Sequence, residues 1–298
     1  MEFQKNLISD SKYVTLTKMN HIVEIQYIEK KNYKAHIKKI NDSEYVYLGT
    51  GEVREFEFKA KNRSESINSM YKTLKRLRYL INNNFTGANN ELFLTLTYAE
   101  NMTDTERLYK DMDKFIKRFR YRYRDKGTID YINVVEPQQR GAWHCHILLR
   151  FNDVDRIYIP WQEIVKIWTF GTIDIKKIDD VDNIGAYLTG YLTDIPLEEL
   201  DSSILLDNSS ATFEIKEVKG KKFAKGARLY MYPPGMNLYR HSRGIKKPDR
   251  LNMSYREAKK YVEGATPTYF RKIDYKSDEF ENTIIYEHYN TKRVTNKV

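Results

Sequence analysis

Residues 129–151 constrain the fold more than any other stretch of this chain. Ile129–Glu136 is rich in β-branched residues, Pro137–Gly141 is turn-forming, and Trp143–Phe151 is a second apolar run, so the segment reads as one β-hairpin. Side chains alternate faces along a strand. In the second strand Trp143, Cys145, Ile147 and Leu149 then share an apolar face, which makes Cys145 a core residue. His144 and His146 fall on the other face. With the hairpin tip at Arg140, Glu136 opposes His144 and Val134 opposes His146. Opposed residues share a face at about 4.5–5.5 Å between Cβ atoms. A carboxylate and two imidazoles can therefore converge on one point. Such a set, with open positions left, suits a catalytic divalent cation rather than a closed structural site. The same residues also suit a plain hydrogen-bonded strand pair, and a two-residue spacing does not separate the two readings.

Elements for this hairpin to pack against are readable on both sides. Short strands are predicted at Tyr13–Leu16, Ile22–Tyr27, Lys34–Lys38, Tyr45–Leu48 and Val53–Phe58, and a helix from near Ser64. Leu92–Tyr98 alternates as a buried strand. Thr103 and Glu106 form a capping box for a helix whose apolar positions run from Leu108 to Tyr123, with Gly127 at its end. Pro160 opens a short helix through Trp168, Thr172–Ile178 is a strand, and a helix follows over about 180–194 with Pro196 just past it. Leu197–Asn208 is acidic and reads as a domain junction. Trp161 and Trp168 are expected in the core. Thr95 and Thr97 share a strand face, where they suit either packing or the orientation of a ligand.

Charge narrows the partner. The chain has 298 residues, a formal net charge of +10 and one cysteine, which leaves no intramolecular disulfide and no cluster of cysteine ligands. No apolar stretch approaches the roughly 18 residues of a membrane span. The N-terminus lacks the pattern of a secretory signal, so the expected compartment is the cytoplasm and no membrane partner is expected. From Lys219 to Pro248 there are nine Lys or Arg and no Asp or Glu. Lys221, Lys222, Lys225, Arg228, Arg240, Arg243, Lys246 and Lys247 are interleaved there with Phe223, Tyr230, Tyr232 and Tyr239. Cations neutralise phosphates and rings stack on bases, so this run is a candidate DNA or RNA contact. A second run, Lys114–Arg124, holds six basic residues and no acid. The bland alternative for either run is a solvated face.

Tyr187 and Tyr191 are four apart on a predicted helix and share one face. Among 24 tyrosines a pair at that spacing is most often packing. The functional reading is a nucleophile: a phenol of pKa about 10 needs activation to attack a phosphodiester, and a nearby cation can help.

Three motifs in order resemble those of HUH endonucleases. They are Phe93-Leu94-Thr95-Leu96-Thr97-Tyr98, Trp143-His144-Cys145-His146-Ile147-Leu148-Leu149 and Tyr187-Leu188-Thr189-Gly190-Tyr191. Asn62–Ile67, Glu136-Pro137, Arg140–Trp143 and Tyr232–Asn237 extend the resemblance to the rolling-circle replication initiators of Gram-positive plasmids, integrative elements and phages. The resemblance implies an α+β fold: a central antiparallel sheet with flanking helices, RRM-like in outline, plus a β-rich N-terminal and a basic C-terminal extension. On this basis the chain divides into an N-terminal β-rich region and helix (1–90), an endonuclease core (91–200) and a DNA-contacting region (201–298). It also implies metal ligation by Glu136, His144 and His146, with Mg²⁺ or Mn²⁺, and paired nucleophiles at Tyr187 and Tyr191. The implied reaction nicks and rejoins one DNA strand at an origin through a 5′-phosphotyrosine. The implied partners are single-stranded or hairpin origin DNA and host replication proteins such as a helicase. Relatives often carry a lysine three positions after a motif tyrosine. Here Gly190 and Asp194 stand there, so Lys176 or Lys177 is the substitute to consider. The competing readings are a non-enzymatic nucleic-acid-binding module and an HUH transposase or relaxase.

Overall fold

The computed structural model describes residues 7–31, 36–41, 43–56, 67–178, 183–199, 214–218, 220–233, 235–276 and 281–294. The chain divides into two compact units, Met1–Ala60 with Pro248–Val298, and Lys61–Lys247. The motif-based boundaries at 90 and 200 follow the sequence, whereas these units follow strand pairing between the two ends of the chain.

The first unit begins with β1 (Tyr13–Met19) and β2 (Ile22–Ile28), an antiparallel hairpin turning at Asn20. The short strands β3 (Ile37–Lys39), β4 (Glu44–Tyr47) and β5 (Val53–Glu55) form a separate antiparallel sheet. The expected strand over Lys34–Lys38 lies partly, and that over Val53–Phe58 partly, outside the described residues.

The second unit holds the hairpin. Its elements are α1 (Ile67–Asn84), β6 (Glu91–Tyr98), α2 (Thr105–Arg122), β7 (Ile129–Pro137), β8 (Trp143–Phe151), α3 (Trp161–Trp168), β9 (Gly171–Lys176) and α4 (Ile184–Thr193). There follow β10 (Ile195–Pro196), β11 (Ile215–Val218), β12 (Lys221–Ala224) and β13 (Tyr239–His241). The main sheet runs β13-β7-β8-β6-β9, every neighbour antiparallel. A small antiparallel sheet, β10-β12-β11, follows α4 directly.

Period-two alternation gives the main sheet two distinct faces. The back face carries Leu92, Leu94, Leu96, Val135, Trp143, Cys145, Ile147 and Leu149, buried with Leu108, Met112, Phe115, Ile116 and Phe119 of α2 and Ile164 and Trp168 of α3. Cys145 is fully buried there, as its strand parity required. The front face carries Phe93, Ile132, Val134 and Leu148, buried with Leu77, Leu80 and Ile81 of α1 and Ile184, Leu188 and Leu192 of α4. The basic run Lys114–Arg124 thus lies on and just after the helix of the back face, where Arg118 and Arg120 donate to the carbonyls of Ile167 and Ile129 and Arg122 pairs with Glu163.

Two local details differ from expectation. The N-cap of α2 is Asp104, whose carboxylate accepts from the amides of Glu106 and Arg107, in place of a Thr103 capping box. An ionised acceptor at the positive end of the helix outcompetes a hydroxyl one residue earlier. Trp168 is core, its Nε1–H donating to the Thr97 carbonyl, but Trp161 at the first turn of α3 is 57% exposed.

The chain then returns to the first unit with β14 (Arg250–Ser254), helix α5 (Tyr255–Lys260), β15 (Ala265–Lys276) and β16 (Glu281–Val294). Its sheet runs β14-β1-β2-β16-β15, and Val14, Leu16, Val23, Ile25 and Ile285 bury one face with Tyr255 and Ala258 of α5. Among the described residues no helix is long and apolar enough to cross a membrane.

Candidate active site

The register of β7 and β8 decides which side chains meet. Glu136 pairs with His144 and Val134 with His146, as the turn placement predicted. β6 adds Thr97 opposite His144 and Thr95 opposite His146. Rows of side chains therefore cross the front face: Thr97, His144 and Glu136 in one, Thr95, His146 and Val134 in the next. One ligand atom each from Glu136, His144 and His146 lies within 4.8 Å of the others.

Glu136 is the hub of this cluster. Its Oε2 lies 2.5 Å from His146 Nε2, and its Oε1 lies 2.6 Å from the Arg228 guanidinium. Burial alone would raise the Glu136 carboxyl. The His146 hydrogen bond and the Arg228 charge outweigh it and hold the group below the usual carboxylate range. An ionised carboxylate only accepts, so the His146 Nε2–H donates to it and the Thr95 hydroxyl serves Nδ1 at 3.1 Å. Thr97 Oγ1 is 3.3 Å from His144 Nε2. The ring of Phe93 stacks on His146 at 5.7 Å and closes the apolar side. Burial pushes His144 down to about 4, so near neutral pH its imidazole is uncharged. A neutral imidazole is the form that ligates a metal.

The donor set fits a divalent cation. Two imidazole nitrogens and a carboxylate oxygen are held on one side by a rigid strand pair, which leaves the other positions to solvent or substrate. Thr95 and Thr97 supply the outer partners that orient metal-bound histidines. The sequence showed that these threonines share a face, and the β6–β8 register shows which histidine each one serves.

Helix α4 lies on the same front face as this cluster, with Ile184, Leu188 and Leu192 turned into the sheet core. Its N-terminus is fixed to α1. Asn183 caps it, Asn82 bridges Asn183 and the amide of Gly185, and a Cβ at Gly185 would sit 2.7 Å from the Arg78 carbonyl. Only glycine permits that approach. Tyr187 flanks the buried seam and is 38% exposed. Tyr191 stands one turn further along the helix, and its side chain lies outside the described residues. Asp194 caps the C-terminus of α4, its side chain accepting from Gly226 N and Thr193 Oγ1 and pairing with Lys216. Lys176 is exposed and pairs with Asp174 at 3.0 Å, and Lys177 is exposed just past β9.

The basic run separates into three groups. Lys222, Arg243, Lys246 and Lys247 are exposed. Lys221, Lys225 and Arg240 pair with Glu198, Glu214 and Asp113, and Arg240 also stacks over Tyr109. Arg228 departs from the expectation of a DNA contact. It is 6% exposed, and Glu136 and the carbonyls of Pro137 and Asp194 take up its donors. A linear charge count cannot see this, because the acceptors lie far away in sequence. Of the stacking candidates, Tyr232 is fully buried with its hydroxyl donating to the Val135 carbonyl, so it too belongs to the core.

Fold and site together define an antiparallel α+β domain that carries a cluster of two histidines and one carboxylate. Residues 91–195 match the family model of the replication-associated protein ORF2. The matched stretch runs from the first residue of β6 to just past α4, and so contains the whole cluster and the tyrosine helix. The match supports a replication initiator. Comparison with curated proteins gave no match, and comparison with solved structures gave none.

Proposed function

We propose that this chain is a metal-dependent, site-specific DNA nicking and strand-joining enzyme that initiates rolling-circle replication through a 5′-phosphotyrosine intermediate. The observation that carries this reading is the convergence of Glu136, His144 and His146 on the sheet face against which the tyrosine helix packs. The family match over 91–195 supports it.

In this reading Glu136, His144 and His146 hold the cation, which when bound supplies Lewis-acid polarisation of the scissile phosphate. A Tyr187 or Tyr191 oxygen attacks phosphorus, the bond to the 3′ oxygen breaks, and the freed 3′-hydroxyl primes synthesis. The phosphotyrosine bond conserves the phosphodiester energy, so no ATP is required for rejoining. The second tyrosine serves a second transfer. The exposed cations Lys222, Arg243, Lys246 and Lys247 hold the DNA backbone. Two imidazoles in the donor set favour Mn²⁺ over Mg²⁺, which prefers oxygen ligands and keeps its waters.

The test is incubation of the chain with single-stranded origin oligonucleotides and Mn²⁺, followed by a denaturing gel. A covalent protein–DNA band is expected, and chelator should abolish it. The Tyr187→Phe, Tyr191→Phe double variant should give none. An undiminished band from that variant rejects the nucleophile assignment. Salt-sensitive binding with no adduct would leave only a nucleic-acid-binding module.

A further inference from the structure

Arg228 is carried in a short turn of helix, Ala227–Met231, between buried Ala227 and Leu229. Its guanidinium reaches three separate parts of the chain. Nη1 donates to Glu136 Oε1 at 2.6 Å and to the Pro137 carbonyl at 2.7 Å. Nε and Nη2 both point to the Asp194 carbonyl, at 3.4 and 3.2 Å. Asp194 is the C-cap of α4, so one buried fork joins the carboxylate of the cluster to the end of the helix that bears Tyr187 and Tyr191. The neighbouring contacts fix the fork itself. The amide of Gly226 donates to Asp194 Oδ1 at 2.9 Å, and Tyr232 is anchored to Val135 on the strand of Glu136.

We propose that Arg228 is a positioning residue of the nicking site, with two separable tasks. This rests on the metal and nucleophile assignments above. The first task belongs to its charge. It balances the buried carboxylate and occupies Oε1, so that Oε2 is the oxygen turned to the histidines and the cation. A buried carboxylate stripped of its cation is costly, so that charge cannot simply be removed. The second task belongs to its shape. A planar guanidinium donates in two directions at once, which an ammonium cannot do in the same rigid geometry. The fork thereby sets the distance between the end of α4 and the cluster, and hence the reach of a tyrosine oxygen to a phosphate held there.

Charge and shape can be tested apart in the full chain with Arg228→Met and Arg228→Lys. Two measurements need no DNA: Mn²⁺ binding followed by the free-ion EPR signal, and amide hydrogen exchange over 190–194. Thermal melting reports whether each variant folds. The Met variant should bind Mn²⁺ about 10–100-fold more weakly, the range seen when outer-shell partners of metal ligands are lost. Exchange over 190–194 should also speed up. The Lys variant should recover Mn²⁺ binding to within a few-fold of the parent, yet leave exchange over 190–194 as fast as in the Met variant. The Lys variant alone carries the test if the Met variant does not fold. Parent-like exchange in a folded Lys variant overturns the tether, and parent-like Mn²⁺ binding in a folded Met variant overturns the charge task. A parent chain that binds no Mn²⁺ sinks the metal assignment itself, while the exchange arm still judges the tether.

Discussion

Thr95 acts on His146 from the side away from Glu136, and that position explains why a small β-strand hydroxyl matters. Its oxygen can donate to Nδ1 or accept from it. When Nε2 gives up its proton to a cation, Thr95 can accept from the proton that Nδ1 then carries, which keeps the ring oriented. Thr95→Val conserves shape and removes that partner. Mn²⁺ affinity should fall about 10–100-fold with little change in melting temperature, read by titration of the free ion. Asp130 shows a different use of a buried carboxylate. Burial would raise it, but Ser242, Asn152 and Arg150 all donate to it and hold it below its ordinary 3.8. It fastens the segment after β13 to the sheet, where a Cβ on Gly244 would collide with it. A depressed carboxyl contributes stability above its unfolded value, and that contribution is lost as pH falls through the folded value. Asp130→Asn should therefore cost about 1–3 kcal/mol at pH 7. The gap to the parent should close as pH drops below 3.8, and urea melts at both ends of that range check it. At this scale the sequence was legible where chemistry follows strand parity, as for Cys145, His144 and His146. It was silent on Arg228, whose residue type fits a DNA contact equally well.

The elements owe their placement to a few packed residues each. Helix α4 spans ten residues, too short for a stable helix by itself, so its position depends on tertiary burial. Leu188→Ala removes the middle of its buried seam. It should cost about 2–5 kcal/mol and reduce adduct formation more than Mn²⁺ binding, because the ligands sit on strands and the tyrosines on the helix. Melting curves alongside the adduct and free-ion assays check this, and equal losses in both assays would argue against α4 as the carrier of the nucleophile. The β7–β8 hairpin was the most legible element. Its turn sets the register, and a one-residue slip would have sent both histidines into the apolar back face. Helix boundaries were less legible. Asp104 and Thr103 are both credible caps, and the choice depends on which backbone amides each can reach.

Charge acts at the scale of the whole molecule. The +10 surplus predicts salt-sensitive binding to nucleic acid. Replacing Lys222, Arg243, Lys246 and Lys247 by Ala should shrink the slope of log affinity against log salt by up to about 3 for single-stranded DNA. A filter-binding salt series measures it, and an unchanged slope places the DNA elsewhere. The second basic run is the weaker candidate, because α2 lies on the sheet face opposite the cluster and several of its cations already serve protein acceptors. Strand alternation, hairpin register and charge balance could be read directly from the order of residues, since each depends on neighbours close along the chain. Long-range packing alone settled that residues 248–298 join residues 1–60 in one unit, that α4 lies over the front face, and that Arg228 turns inward to Glu136 and Asp194. Those outcomes depend on contacts between residues scores of positions apart, and no periodicity or local composition records which distant partner wins.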